Sequence, residues 1–382
     1  DWAQQIVEEP EAINLSYGGE VDVDDDNFAR FIDAYAEAKL CVMGVSAGNS
    51  GPNGSTVCSP GISYNNICVA NMNDQNTTNR SDDVISNSSS RGPTVSVRKK
   101  PDITAPGSGI LSTNNTWEGT GDDFVSKSGT SMAAPHVTAA AVLLNDAGVL
   151  HPLEVKALLI NTADDWGDPD WDPVYGWGYL NLDRAYLHRD DVFLGSVTPN
   201  GTPGSNKLYK TTGMDAGETA TLTWYRHVEY NSSGPTTWFL LNDLNMRLYD
   251  ESTDQIIDYD LSGVNNVHQV TSNRSGPQVI RVYAYSSSFS NGGSTETYAL
   301  ATQEGTILAA DPTVTPVASN YTPPLYAKFP VSVRVDNNGD VAAHLCRVTL
   351  TLPAGVTLAE GSLTQDLGSI PAGSSKYAYY LL

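Results

Sequence analysis

Ser131 is the residue best placed to do chemistry, and the nine residues Gly129-Thr130-Ser131-Met132-Ala133-Ala134-Pro135-His136-Val137 say how. Lys127-Ser128-Gly129-Thr130 is small, polar and turn-prone, whereas Met132 to Leu144 is an Ala-rich apolar run of high helix propensity. Ser131 is therefore expected where a turn becomes a helix. The unpaired N–H groups of a first helical turn and the positive end of its dipole favour the negative charge that develops when a hydroxyl oxygen attacks a carbonyl. Pro135 is expected in that first turn, where its missing N–H breaks no helical bond. Alone, the stretch also fits a small-residue helix start with Ser131 as a plain N-cap.

A second candidate is Asn49, in Ala47-Gly48-Asn49-Ser50-Gly51. An amide is a neutral, oriented donor that adds no titratable charge and can supply ~3 kcal/mol of transition-state stabilisation when held in place. Read singly, Asn49 fits a left-handed turn equally well. The elements that must position these residues alternate: a strand at Ala12 to Ser16 ending in Tyr17-Gly18-Gly19, then a helix from Asp26 to Lys39 with Phe28, Phe31, Ile32, Tyr35 and Ala38 on one face. A strand at Leu40 to Val45 and another at Ile67 to Ala70 follow. Such alternation argues for a parallel sheet covered on both faces. Trp2 to Glu9 reads as the tail of an amphipathic helix, and His151 to Leu159 as an N-capped one.

Ser128 to Val137 resembles the active-serine signature of the subtilisin-like serine peptidases. Asn14-Leu15-Ser16-Tyr17-Gly18-Gly19 resembles their first substrate-binding strand, and Ala47 to Gly51 the segment with their oxyanion-hole asparagine. Ser88 to Pro93, Lys100 to Gly107 and Tyr175 to Asn181 match further family words, so the resemblance covers about residues 1 to 190. It implies Ser131 as nucleophile of an acyl-enzyme route, with Asn49 Nδ2 and the Ser131 N–H as oxyanion hole. It also implies a cleft for an extended peptide lined by Leu15, Ser16, Tyr17, Gly18, Ser46, Ala47, Gly48 and Thr130, and a cis bond before Pro60. The small residues Ser46 to Gly48 leave room for a bulky apolar or aromatic side chain before the cleaved bond.

The family places Asp and His before the serine, yet residues 1–130 contain no histidine. His136 lies five residues along a helix from Ser131, a rotation of about 140° that turns it away, and His151, His188, His227, His268 and His344 all follow the serine. The expectation is a fragment, nearly inactive alone, whose Asp and His lie on a missing N-terminal segment. The rival reading is a noncatalytic adhesion or carbohydrate-binding protein on a degenerate peptidase domain, with Trp224, Trp238, Tyr283 and Tyr285 stacking on sugars.

From about Leu194 short alternating runs take over, at Thr219 to Trp224, Leu244 to Tyr249, Gln278 to Tyr285 and Thr297 to Thr302. The expected fold is an α/β parallel-sheet subtilisin-like domain over residues 1–193, incomplete at its N-terminal side. A jelly-roll β-sandwich over 194–305, a linker over 306–326 and a truncated Ig-like β module over 327–382 follow, the last with a hairpin turn at Asn337 to Asp340. The jelly-roll resemblance allows structural Ca²⁺, with Asp243 and Asp250 as candidate ligands or plain turn residues.

The 382 residues carry 44 Asp and Glu against 21 Lys and Arg, a net charge of -23, and no basic cluster longer than Arg98-Lys99-Lys100. Nucleic acid and anionic membrane surfaces are excluded as partners on that ground. Scarce Lys with abundant Asn, Ser, Thr and Gly fits a secreted protein. Cys41, Cys58, Cys68 and Cys346 match no zinc pattern; Cys58 and Cys68 either close a loop or stay buried thiols.

Overall fold

The computed structural model describes residues 10–115, 123–202, 204–231, 233–303, 307–309, 312–317, 328–339 and 342–382, so the helix expected at Trp2 to Glu9 lies outside the described residues. The first half holds β1 (Ala12–Leu15), α1 (Asn27–Ala38), β2 (Val42–Ser46), β3 (Ile67–Asn73), β4 (Val84–Ile85) and β5 (Ile103–Pro106). A hairpin of β6 (Ile110–Thr113) and β7 (Phe124–Lys127) follows, then α2 (Thr130–Asp146), α3 (Pro152–Asn161) and α4 (Leu182–Leu187). Strands β1, β2, β3 and β5 pair in parallel, and β4 runs antiparallel on β3.

The pleat sorts β2 between two layers. Val42 joins Ile67, Val69, Ile103 and the α2 residues Ala133, Ala134, Val137 and Leu144, whereas Met43 and Val45 face Ile32, Tyr35 and Ala36 of α1. Gly44 lies on the α2 side. A Cβ there would come within 2.1 Å of Thr138 Oγ1, so glycine lets α2 approach the sheet. Helix α1 starts where the acidic run predicts: Asp26 caps it, accepting from Ala29 N–H at 2.7 Å.

The second half is antiparallel. Strands β8 (Val192–Val197), β10 (Thr219–Trp224), β15 (Val267–Thr271) and β17 (Glu296–Ala301) form one sheet in the order β15-β10-β17-β8. A second sheet runs β14-β13-β16-β9-β18, from β9 (Asn206–Met214), β13 (Leu244–Asp250), β14 (Ile256–Asp260), β16 (Gly276–Ala284) and β18 (Ile307–Ala309). Trp224, Tyr298, Leu244, Met246, Leu248, Ile280 and Val282 fill one core between them. The separate hairpin of β11 (Val228–Asn231) and β12 (Gly234–Trp238) leans on α1, where Arg30 lies 3.5 Å over the Trp238 ring.

In the last part β19 (Pro312–Val317), β20 (Pro330–Asn337) and β23 (Ser375–Leu381) form one sheet, and β21 (Ala343–Thr349) pairs with β22 (Thr364–Ile370). Two strands, β18 and β19, thus fall within residues read as a linker. The hairpin expected at Asn337 to Asp340 is corrected: the strands on either side, β20 and β21, belong to different sheets. Turn-forming residues set a local reversal but do not choose the pairing partner.

A charged seam joins the first two parts. Arg226 donates to both oxygens of Asp25 at 2.8 and 2.9 Å and to buried Asp33 at 3.3 Å. Next to it His227 bridges Glu37, at 2.7 Å from Nδ1, and buried Glu296, at 2.8 Å from Nε2. Burial disfavours the charged ring, but the two carboxylates outweigh it and push the His227 pKa up from 6.5 to about 10. The folded state therefore holds this proton where the unfolded chain has lost it. The clamp's contribution is complete below pH 6.5 and disappears as pH rises to about 10. Denaturant midpoints of the wild type and His227→Gln should be well separated at pH 6.5 and converge by pH 10; a constant separation contradicts the clamp.

Candidate active site

The candidate residues collect at the carboxyl ends of β1 and β2, against the start of α2. That is where parallel sheets hold ligands, because the strand ends and the helix N-terminus leave backbone groups unpaired. Asn49 follows Gly48, whose φ of 106° turns the chain out of β2. Its Oδ1 accepts from Thr130 N–H at 3.0 Å and from Thr130 Oγ1 at 3.2 Å, and Thr130 Oγ1 accepts in turn from Gly48 N–H at 3.2 Å. Thr130 is fully buried. These bonds fix which way the amide faces: the oxygen is held by the helix start and Nδ2 is left as the free donor. A Cβ on Gly129, φ 149°, would sit 3.3 Å from Asn49 Oδ1.

Ser131 is the second residue of α2, so its N–H has no intrahelical partner. Among the described residues no hydrogen bond engages that N–H or Asn49 Nδ2. Ser131 Oγ lies 3.4 Å from the backbone oxygen of Ser16, and Ser16 Oγ donates to the Ser131 carbonyl at 2.7 Å. The expected place of Pro135 is corrected. Because α2 begins at Thr130, Pro135 is its sixth residue, beyond the first turn, and its missing N–H does remove a helical bond.

Gly18 and Gly48, both expected to line the cleft, lie against Cys58, which the spacing offered only as a loop closure or a buried thiol. A Cβ on Gly48 would meet Cys58 Sγ at 2.3 Å, one on Gly18 would meet Cys58 Cβ at 3.4 Å, and Cys58 N–H donates to Ala47 O at 2.8 Å. Burial pushes the Cys58 thiol above its ordinary range, which keeps it protonated near neutrality. Tyr17 stands exposed at the rim, its ring 6.2 Å from Phe28. Cys58 and Cys68 are free thiols, not a loop closure, and the peptide before Pro60 is cis.

No described side chain serves Ser131 as a base. His136 turns back to Met132 O at 2.9 Å, and His151 caps α3 by accepting from Leu153 N–H. His188 pairs with Asp191, His227 is clamped between Glu37 and Glu296, and His268 is buried edge-on to Trp224. His344 lies in β21. The arrangement can bind developing negative charge through two donors and offers a hydroxyl, but the described residues cannot take its proton.

The two calcium candidates differ in how their oxygens are engaged. Asp250 accepts from Ser252, Thr253 and Arg274, which holds its carboxyl well below the usual range with its oxygens committed to donors. Asp243 keeps one buried carboxylate oxygen without a hydrogen-bond partner, and no group of three His, Cys, Asp or Glu that could hold a metal occurs among the described residues.

Residues 2–178 match the family model described as Subtilase family. The serine protease AprX of Bacillus subtilis is 37% identical over 187 residues, covering 45% of this chain and 42% of that protein. Subtilisin DY of Bacillus licheniformis is 31% identical over 191 residues, covering 48% of this chain and 59% of its own. The extracellular serine protease of Serratia marcescens is 34% identical over 157 residues, covering 35% and 14%. The chain thus spans less than two thirds of each of these relatives. Among the described residues no helix is long and apolar enough to cross a membrane.

Proposed function

We propose that this chain, which carries a subtilase-family domain over residues 2–178, is the serine-bearing part of a secreted serine endopeptidase that cleaves extended peptides through an acyl-enzyme. Ser131 is the nucleophile, and its N–H with Asn49 Nδ2 forms the oxyanion hole. The observation that carries this reading is the Thr130 latch on Asn49 Oδ1, which leaves Nδ2 as a donor beside a hydroxyl at a helix start. Backbone of Leu15 to Gly18 and Ser46 to Gly48 lines the cleft, and the substrate residue before the cleaved bond is bulky and apolar or aromatic. Residues 194–305 are a jelly roll and 327–382 an Ig-like module.

The base and its orienting carboxylate come from a segment outside this chain, because a serine hydroxyl is a poor nucleophile without an acceptor for its proton. Residues 1–382 alone are therefore nearly inactive, and the full-length gene product hydrolyses a chromogenic peptide ending in Phe or Leu before the scissile bond. Equal turnover by the two, or by Ser131→Ala in the full-length product, sinks this assignment.

The sugar-binding alternative gains little support from its aromatic residues. Trp224 is buried, with Nε1 donating to Asn242 O, and one face of Trp238 is occupied by Arg30, which leaves Tyr285 as the most exposed of the four.

A further inference from the structure

The carbonyl of Ser131 is a helix carbonyl whose ordinary donor does not exist. Its i+4 partner would be the amide of residue 135, and proline has none. The carbonyl is instead capped from outside the helix by Ser16 Oγ at 2.7 Å, across 115 residues of sequence. The hydroxyl has little freedom in this. Asn14 Nδ2 donates to Ser16 Oγ at 2.9 Å, and because a carbonyl can only accept, the one hydroxyl proton goes to Ser131 O. Ser16 is itself held by the strand it follows, since Leu15 is in register with Val45 of β2.

We propose that Ser16 is a positioning residue for Ser131: its hydroxyl replaces the helical N–H that Pro135 lacks and fixes the nucleophile's backbone against the end of β1. The proposal rests on the reading of Ser131 as nucleophile, but the bond can be tested without turnover. A carbonyl left without its donor lets the first turn of α2 shift, and both the Ser131 N–H and the Oγ move with it. A misplacement of about 1 Å at a reacting group can cost about 100-fold in rate, so a partial loss of register is worth about tenfold. Substrate contacts through the Ser16 backbone are kept, so KM is expected to stay within about twofold.

The test has two arms. In the 382-residue chain, thermal unfolding is compared for Ser16→Ala, Pro135→Ala and the double variant. With proline at 135, Ser16→Ala leaves the Ser131 carbonyl without a protein donor and lowers the midpoint; with alanine there, a helical N–H replaces the hydroxyl and the same change has less than half that effect. Equal losses in both backgrounds overturn the proposed bond. In the full-length gene product, Ser16→Ala should lower kcat about tenfold, and Ser16→Thr, which keeps the hydroxyl, should recover most of it. Unchanged kcat in Ser16→Ala overturns the positioning role even where the stability coupling is found. A full-length wild type without turnover instead sinks the peptidase reading and the positioning role with it, while the first arm still decides the bond.

Discussion

Asn49→Ala in the full-length gene product is expected to lower kcat by roughly 10²–10³-fold while leaving KM almost unchanged; this loss is known for removing one such donor from subtilisin itself, so the magnitude is borrowed from that relative. The sign and the split follow from the geometry here. Asn49 Oδ1 is engaged by Thr130 N–H and Oγ1, so the amide cannot turn its oxygen toward the cleft without giving up both bonds. In the proposed oxyanion hole Nδ2 meets an oxygen whose charge appears only in the transition state, so binding of the ground state barely uses it. A rise in KM matching the fall in kcat/KM would mean that Asn49 binds substrate uniformly and would remove it from the oxyanion hole. Circular dichroism should be unchanged, because Asn49 is exposed and sits beyond the end of β2.

The second large effect is on stability. Asp102 is fully buried beside two buried lysines, with Oδ2 accepting from Lys100 Nζ at 2.6 Å and Cys68 N–H at 2.7 Å, and Oδ1 lying 3.6 Å from Lys156 Nζ. Burial pulls Lys156 down to about 7, against the attraction of Asp102. Asp102→Ala leaves Lys100 in the core without its carboxylate partner and pushes Lys156 further toward its neutral amine, and is expected to cost about 3–5 kcal/mol, the range for removing one partner of a buried pair. Replacing all three charges together with apolar residues of similar size should cost far less, because it strands no charge. Urea denaturation of the 382-residue chain measures both. A loss under about 1 kcal/mol for Asp102→Ala would mean that water reaches the cluster on a small rearrangement.

How far the sequence foretells this molecule depends on whether the relevant signal is local. Thr219 to Trp224, read as a strand from its alternation, is β10 to the residue, and the helix read from Asp26 to Lys39 is α1 within one residue at each end. Both signals come from the chain's own periodicity and from a capping Asp. Linkers and turns were harder: β18 and β19 lie in Pro- and Thr-rich sequence that reads as a connection, because strands at a sheet margin need little apolar pattern.

At the candidate site the residue types were legible and the supports were not. Ser131 and Asn49 stand out by their neighbours, but the bond from Ser16 to the Ser131 carbonyl could not be read without knowing that α2 starts at Thr130, which puts Pro135 past the first turn. Cys58 packs against Gly18 and Gly48 because neither carries a side chain to keep it out, a contact that the sequence does not announce. The Arg226 and His227 seam is illegible for a related reason. In a chain with 44 acidic residues, composition gives no hint that Asp25, Asp33, Glu37 and Glu296 are the four that these two cations choose.

The most direct measurement is labelling by a fluorophosphonate, which reacts only with a serine whose proton is being taken and whose developing oxyanion is held. The full-length gene product should be labelled stoichiometrically, with the adduct mapped to Ser131 by peptide mass, and Asn49→Ala should slow the labelling strongly. Residues 1–382 alone should label very slowly. Absence of label from a folded full-length product, or label on any other residue, would contradict the account.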